Sequence, residues 1–212
     1  MSELVRKLSD GLAPVPPSFV PRRLLAGLGA GAAVSIALVL GLLGLRPDLL
    51  PAMATAMFWA KLAYPLSLAL VAGLAAERLA RPAARARSRL VWLAAPFAAV
   101  ALIAVVQFAA VAPESRESIV MGGSARLCPF LVLASSIPPL LGLVWAMRGL
   151  APTRLRETGA VIGLAAGGIG GFAYAWHCTE WGAPFLALWY TAGILASAIF
   201  GALLGPLLLR WK

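Results

Sequence analysis

The sequence predicts an all-α integral membrane protein, a bundle of six transmembrane helices with both termini cytoplasmic. Three observations lead there. Apolar residues make up 61% of the 212 and charged residues only 12%, against about 45–50% and about 25% in soluble domains. The apolar stretches divide into six segments near the ~20 residues that cross a hydrocarbon core of about 30 Å. The basic residues fall almost entirely on one side of those segments.

The spans are expected at residues 24–45, 53–76, 90–112, 127–147, 158–176 and 184–209. The first ends at the polar turn Arg46-Pro47-Asp48. Residues 1–23 do not read as a cleaved signal peptide, because Leu4 to Leu12 is too polar for an h-region and no A-x-A-type site follows. They are expected to stay as a cytoplasmic N-terminal segment, with residues 24–212 forming the membrane domain.

An even number of spans puts both termini on one side. That side collects Arg6, Lys7, Arg22, Arg23, Arg78, Arg81, Arg85, Arg87, Arg89, Arg148, Arg154, Arg156, Arg210 and Lys212. The other side has Arg46, Arg116 and Arg126, while Lys61 lies within a span. The positive-inside rule assigns the richer side to the cytoplasm, hence a multi-pass membrane protein, which in a bacterium belongs to the inner membrane. The net charge of +10 then reads as a topology signal and a contact for anionic lipid. No soluble element exists to read a nucleic-acid groove, so no direct nucleic-acid contact is expected.

Small residues mark the helix contacts. Gly27, Gly29 and Gly31 lie in the first span, and Gly159, Gly163, Gly167 and Gly171 repeat every four residues along the fifth. Such a stripe lets two helix backbones approach closely, within one chain or between chains.

The candidate chemistry gathers on the non-cytoplasmic side. Cys128 opens the fourth span, and Cys178 lies between the fifth and sixth, beside His177 and Glu180. The bacterial periplasm is oxidising, so two cysteines there can pair. Thiolate, imidazole and carboxylate also suit a soft metal ion. A disulfide, a metal site built from Cys128, Cys178, His177 and Glu180, and two inert buried thiols all remain open.

Lys61 is an intramembrane charge, expected about eight residues into the second span, where it can also snorkel toward the outer interface. Such a charge needs a partner or a wet cavity. Glu180, or a carbonyl freed by Pro65, can serve. No Asp or Glu lies within a span, which argues against a proton-coupled transporter. A small metal or solute transporter is nevertheless the first alternative reading. A thiol-redox enzyme is the second, weakened by the lack of a C-x-x-C pair. No enzymatic activity and no resident cofactor is expected, beyond a transient heavy-metal ion.

Near the N-terminus, Leu4, Val5, Leu8 and Leu12 recur at helical spacing before Pro14-Val15-Pro16-Pro17. A stretch this short is unstable alone. It belongs on a membrane surface or in a partner's groove.

Several segments together carry a resemblance. They are Leu4-Val5…Leu8…Pro14-Val15, Trp59-Ala60-Lys61…Tyr64-Pro65, Cys128 with Pro138-Pro139, Arg148…Ala151-Pro152, Tyr174-Ala175-Trp176-His177-Cys178-Thr179-Glu180, Trp189-Tyr190 and Leu209-Arg210-Trp211. In order and spacing, over essentially the whole chain, they resemble the NrsF-type family of bacterial membrane anti-sigma factors. The resemblance implies sequestration of an extracytoplasmic-function sigma factor, which an envelope signal releases. It implies that Cys128 and Cys178 sense heavy-metal or oxidative stress. It further implies that residues 1–23, with Leu4, Val5, Leu8, Leu12, Pro14 and Val15, bind the sigma factor. A change at the cysteines would then shift spans 4 to 6 against spans 1 to 3.

Overall fold

The computed structural model describes Glu3 and residues 16–81, 91–150 and 152–210. Among these residues there is no strand. Six helices are long and apolar enough to cross a membrane. Helix α1 (Phe19–Leu38) runs on through a π-helical turn, Val39–Leu43. A short α2 (Leu49–Met53) leads to α3 (Ala56–Leu79). Helix α4 (Ala94–Ala110) follows a 3-10 turn at Val91–Leu93. A short α5 (Arg116–Met121) precedes α6 (Cys128–Arg148). Helix α7 is Leu155–Ala175. The sixth long helix is α8 (Ala183–Phe185), a π-helical turn at Leu186–Tyr190, and α9 (Thr191–Leu208).

The first helix begins at Phe19, earlier than the expected residue 24. Pro21 allows this, because the N–H it lacks has no intrahelical partner in the first turn. Arg22 and Arg23 therefore belong to the helix. Arg23 donates to the carbonyl of Ala146 at 2.9 Å, and its guanidinium lies 4.6 Å from the Trp145 ring centre.

Helix α7 is the axle of the bundle. It is buried almost throughout, and it packs on α9, α3 and α6. Its small residues make this possible. A Cβ added at Gly163 would meet the backbone of Ser197 and Ala198 on α9, and one at Gly168 would meet Pro65 and Ala69 on α3. At Gly170 it would meet Ser135 and Ser136 on α6. The glycine stripe thus serves contacts inside the chain. Gly27 of α1 meets Gly142 of α6 in the same manner.

Because α1 packs on α6 and α3 on α7, spans 1 to 3 interleave with spans 4 to 6. A rigid shift of one half against the other, expected from the sequence, would break both contacts. Helix α4 stands apart, with only Val100 and Ala104 of its residues buried. Exposed Leu102, Ile103, Val105 and Val106 on α4 form the kind of surface that lipid covers.

Candidate functional site

The site is at the end of the bundle that carries both cysteines. Three connections meet there: residues 44–48, residues 111–127, and residues 176–182. Helix α3 supplies Lys61 from below. Thr55 caps that helix, its hydroxyl accepting from the Phe58 N–H at 3.3 Å, as N-cap residues do. Lys61 therefore lies in the second turn of α3, about 8 Å from its start.

Lys61 is 2% exposed. Its ammonium donates to the carbonyl oxygens of Cys178 at 2.8 Å and Glu180 at 2.6 Å. It also lies 5.6 Å from the centre of the Tyr190 ring. The expected partners were the Glu180 carboxylate or a carbonyl freed by Pro65. The observed partners are loop carbonyls, because the carboxylate of Glu180 is turned elsewhere. Its Oε1 accepts from the N–H groups of Gly123 and Ser124 and from the Ser124 hydroxyl, at 2.8, 3.0 and 3.0 Å. Successive backbone N–H groups of this kind make a concave anion cradle. Gly122, at φ +52°, leaves room for that carboxylate, which a Cβ there would strike.

Arg46, expected as an ordinary loop charge, is buried. It forms a two-pronged pair with Asp48, Nε to Oδ1 and Nη2 to Oδ2, each 2.8 Å. Nη2 also reaches the carbonyl of Thr179 at 3.4 Å. The Arg46 N–H donates to the carbonyl of Trp176. This hydrogen-bonded pairing holds Asp48 below the usual carboxylate range and Arg46 above its ordinary value. The two-residue spacing of Arg46 and Asp48 is the signal that could have revealed the pair.

Both cysteines are free thiols and buried. They lie within electrostatic range of each other and of Lys61. His177 does not join them. Its Nδ1 is hydrogen-bonded to the carbonyl of Gly44 at 3.0 Å, and its ring stacks at a tilt on Tyr174, 5.8 Å away. Among the described residues no group of three or more His, Cys, Asp or Glu side chains is placed to hold a metal ion. The four-ligand site of Cys128, Cys178, His177 and Glu180 is therefore not assembled, since Glu180 and His177 are committed to the loops.

Further bonds tie residues 111–127 to the sixth span. The indole of Trp189 donates to the carbonyl of Val120 at 2.8 Å, and the amide N–H of Ala183 donates to the side chain of Gln107. Nothing in the spacing of Gln107, Val120 and Trp189 signals these contacts.

The family profile described as "Negative regulator of sigma F" matches residues 8–211. The chain belongs to the NrsF family. The "Probable anti-sigma-F factor NrsF" of Azospira oryzae is 35% identical over 209 residues, covering 99% of this chain and 98% of that relative. The "Anti-sigma-F factor NrsF" of Caulobacter vibrioides is 39% identical over 203 residues, covering 95% and 92%. No solved structure matches.

The NrsF match takes in Leu8, Leu12, Pro14 and Val15 as well as the whole helical bundle. With Leu4 and Val5, these residues lie outside the described ones. The basic end of this NrsF-family bundle is described in part. There Arg148 donates to the carbonyl of Leu208 at 2.7 Å, while Arg154 pairs with Glu157 and Arg81 with Glu77.

Proposed function

We propose that this chain is a multi-pass anti-sigma factor of the bacterial inner membrane. It holds an extracytoplasmic-function sigma factor at the cytoplasmic face and releases it on an envelope signal. The observation that carries the reading is the similarity to anti-sigma-F factors along nearly the whole of both relatives. The family match also reaches into the N-terminal segment, as far as residue 8.

Three features support the assignment of parts. The first long helix starts at the arginine-rich end, consistent with a cytoplasmic N-terminal segment under the positive-inside rule. Leu4, Val5, Leu8 and Leu12, apolar and at helical spacing in the sequence, suit a groove on the sigma factor. The basic loops supply charge complementarity, which acts mainly on encounter rate and specificity. At the opposite end the buried thiols of Cys128 and Cys178 would read an oxidant or a heavy-metal ion. Spans 4, 5 and 6 carry these thiols. Span 4 packs directly on span 1, so a change at the cysteines has a packed route to the N-terminal segment. A hundredfold loss of sigma affinity needs a coupling of about 2.7 kcal/mol.

The test is retention in cells. A tagged sigma factor encoded with the chain should fractionate with membranes and give low target transcription. Leu8→Glu should move it to the soluble fraction while the chain itself stays in the membrane. Retention unchanged by Leu8→Glu would remove the groove reading.

A further inference from the structure

Arg46 and Lys61 are the only charged residues buried among the described ones. Both line a single cavity of about 270 Å³, open to the outside at the cysteine end. Buried charges ordinarily face buried countercharges. Here Asp48 already pairs with Arg46, and neither carboxylate that borders the cavity, Asp48 or Glu180, bonds Lys61. The Asp48 side chain is 49% exposed, and Glu180 gives its Oε1 to Gly123 and Ser124. The two carbonyls that receive Lys61 are neutral and leave its charge uncancelled. An ammonium has three protons, and two are used. Arg46 uses Nε and Nη2, and its Nη1 donates to nothing among the described residues.

The geometry points to an anion site. The cavity takes a small tetrahedral oxyanion of the phosphate or sulfate type, with Lys61 supplying the charge and Arg46 Nη1 the directed donors. A guanidinium beside an ammonium is a well-matched pair for such a ligand. The same phosphate chemistry comes from a free ion or from a phospholipid headgroup, since the cavity lies where the long helices end. Asp48 borders the site and opposes the ligand, so removing its charge strengthens binding. The site is independent of whether a sigma factor occupies the other end.

The experiment uses the full chain purified in a phospholipid-free maltoside detergent. One arm follows radiolabelled inorganic phosphate by equilibrium dialysis. The other follows retention of phosphatidylglycerol against phosphatidylcholine by native mass spectrometry. Saturable binding at one site is expected, at least tenfold weaker in Lys61→Met and about threefold tighter in Asp48→Asn. The second variant guards against misfolding of the first, because loss of fold cannot strengthen binding. Lys61-dependent binding of phosphatidylglycerol alone assigns the cavity to a headgroup, and Lys61-dependent binding of phosphate assigns it to the free ion. No saturable binding in either arm, or equal affinities in the wild type and both variants, overturns the proposal.

Discussion

Lys61, in the second turn of α3, donates a 2.8 Å hydrogen bond to the carbonyl oxygen of Cys178. One span is thereby tied to the loop that carries a cysteine, 117 residues further along the chain. Replacing Lys61 by Met removes the donor and leaves the Cys178 and Glu180 carbonyls unsatisfied. Each buried acceptor so stranded costs about 1–3 kcal/mol. Thermal unfolding in detergent should show a lower midpoint for Lys61→Met, and an unchanged midpoint would mean the loop does not depend on this contact.

The Glu180 cradle makes a second prediction. Gly122→Ala puts a methyl group against the Glu180 carboxylate and forces an unfavourable φ. It should destabilise by about 2 kcal/mol and speed protease nicking within residues 111–127 and 176–182. Glu180→Gln should do the same more mildly, since an amide accepts more weakly than a carboxylate. Nicking at the wild-type rate in both variants would contradict the described geometry.

Glycine substitutions should sort by position. A Cβ at Gly29 or Gly41 meets nothing, whereas one at Gly27 meets the backbone of Gly142 and one at Gly163 that of Ser197. Gly29→Ala should leave the unfolding midpoint within error. Gly27→Ala and Gly163→Ala should each lower stability by about 1–3 kcal/mol through forced separation of helices. Equal effects at Gly29 and Gly163 would refute the packing described for α7.

The Arg46–Asp48 pair makes stability sensitive to acid. Asp48 has a folded-state pKa below its ordinary value of 3.8. Its contribution is therefore present above that value and is lost as pH falls through the depressed one. The carboxylate is half-exposed, so the effect is small. The unfolding midpoint of the wild type should decline at the acid edge more than that of Asp48→Asn. Parallel pH profiles would show that the pair contributes nothing.

All six long helices were legible in the sequence, with ends within about five residues. Long apolar runs bounded by Arg46-Pro47-Asp48 or by arginine-rich loops leave few alternatives. The first helix starts before the expected residue 24, since Pro21 is harmless in a first turn. The site was legible only as an inventory of residues. Cys128, Cys178, His177, Glu180 and Lys61 were identified, and Cys128, Cys178 and Lys61 do come within electrostatic range. Their partners were not, because they are mainly backbone groups of distant loops. Lys61 bonds two carbonyls, Glu180 two N–H groups and a hydroxyl, and His177 one carbonyl. Residue types do not reveal backbone partners: of the two expected kinds of partner for Lys61, Glu180 or a freed carbonyl, the structure uses backbone carbonyls, one of them that of Glu180.

The sensor role proposed for the thiols makes its own prediction. Cys178→Ser should reach the membrane at normal abundance and fail to release the sigma factor when cells meet an oxidant or a heavy-metal salt. A wild-type release response would remove Cys178 from the signal path.

The most direct measurement is co-purification. The tagged chain is expressed in its native host, solubilised in mild detergent and its bound proteins identified by mass spectrometry, beside a version lacking residues 1–23. The account predicts a sigma factor with the full chain and none with the truncated one. Intact, abundant full-length chain without any sigma factor would contradict it.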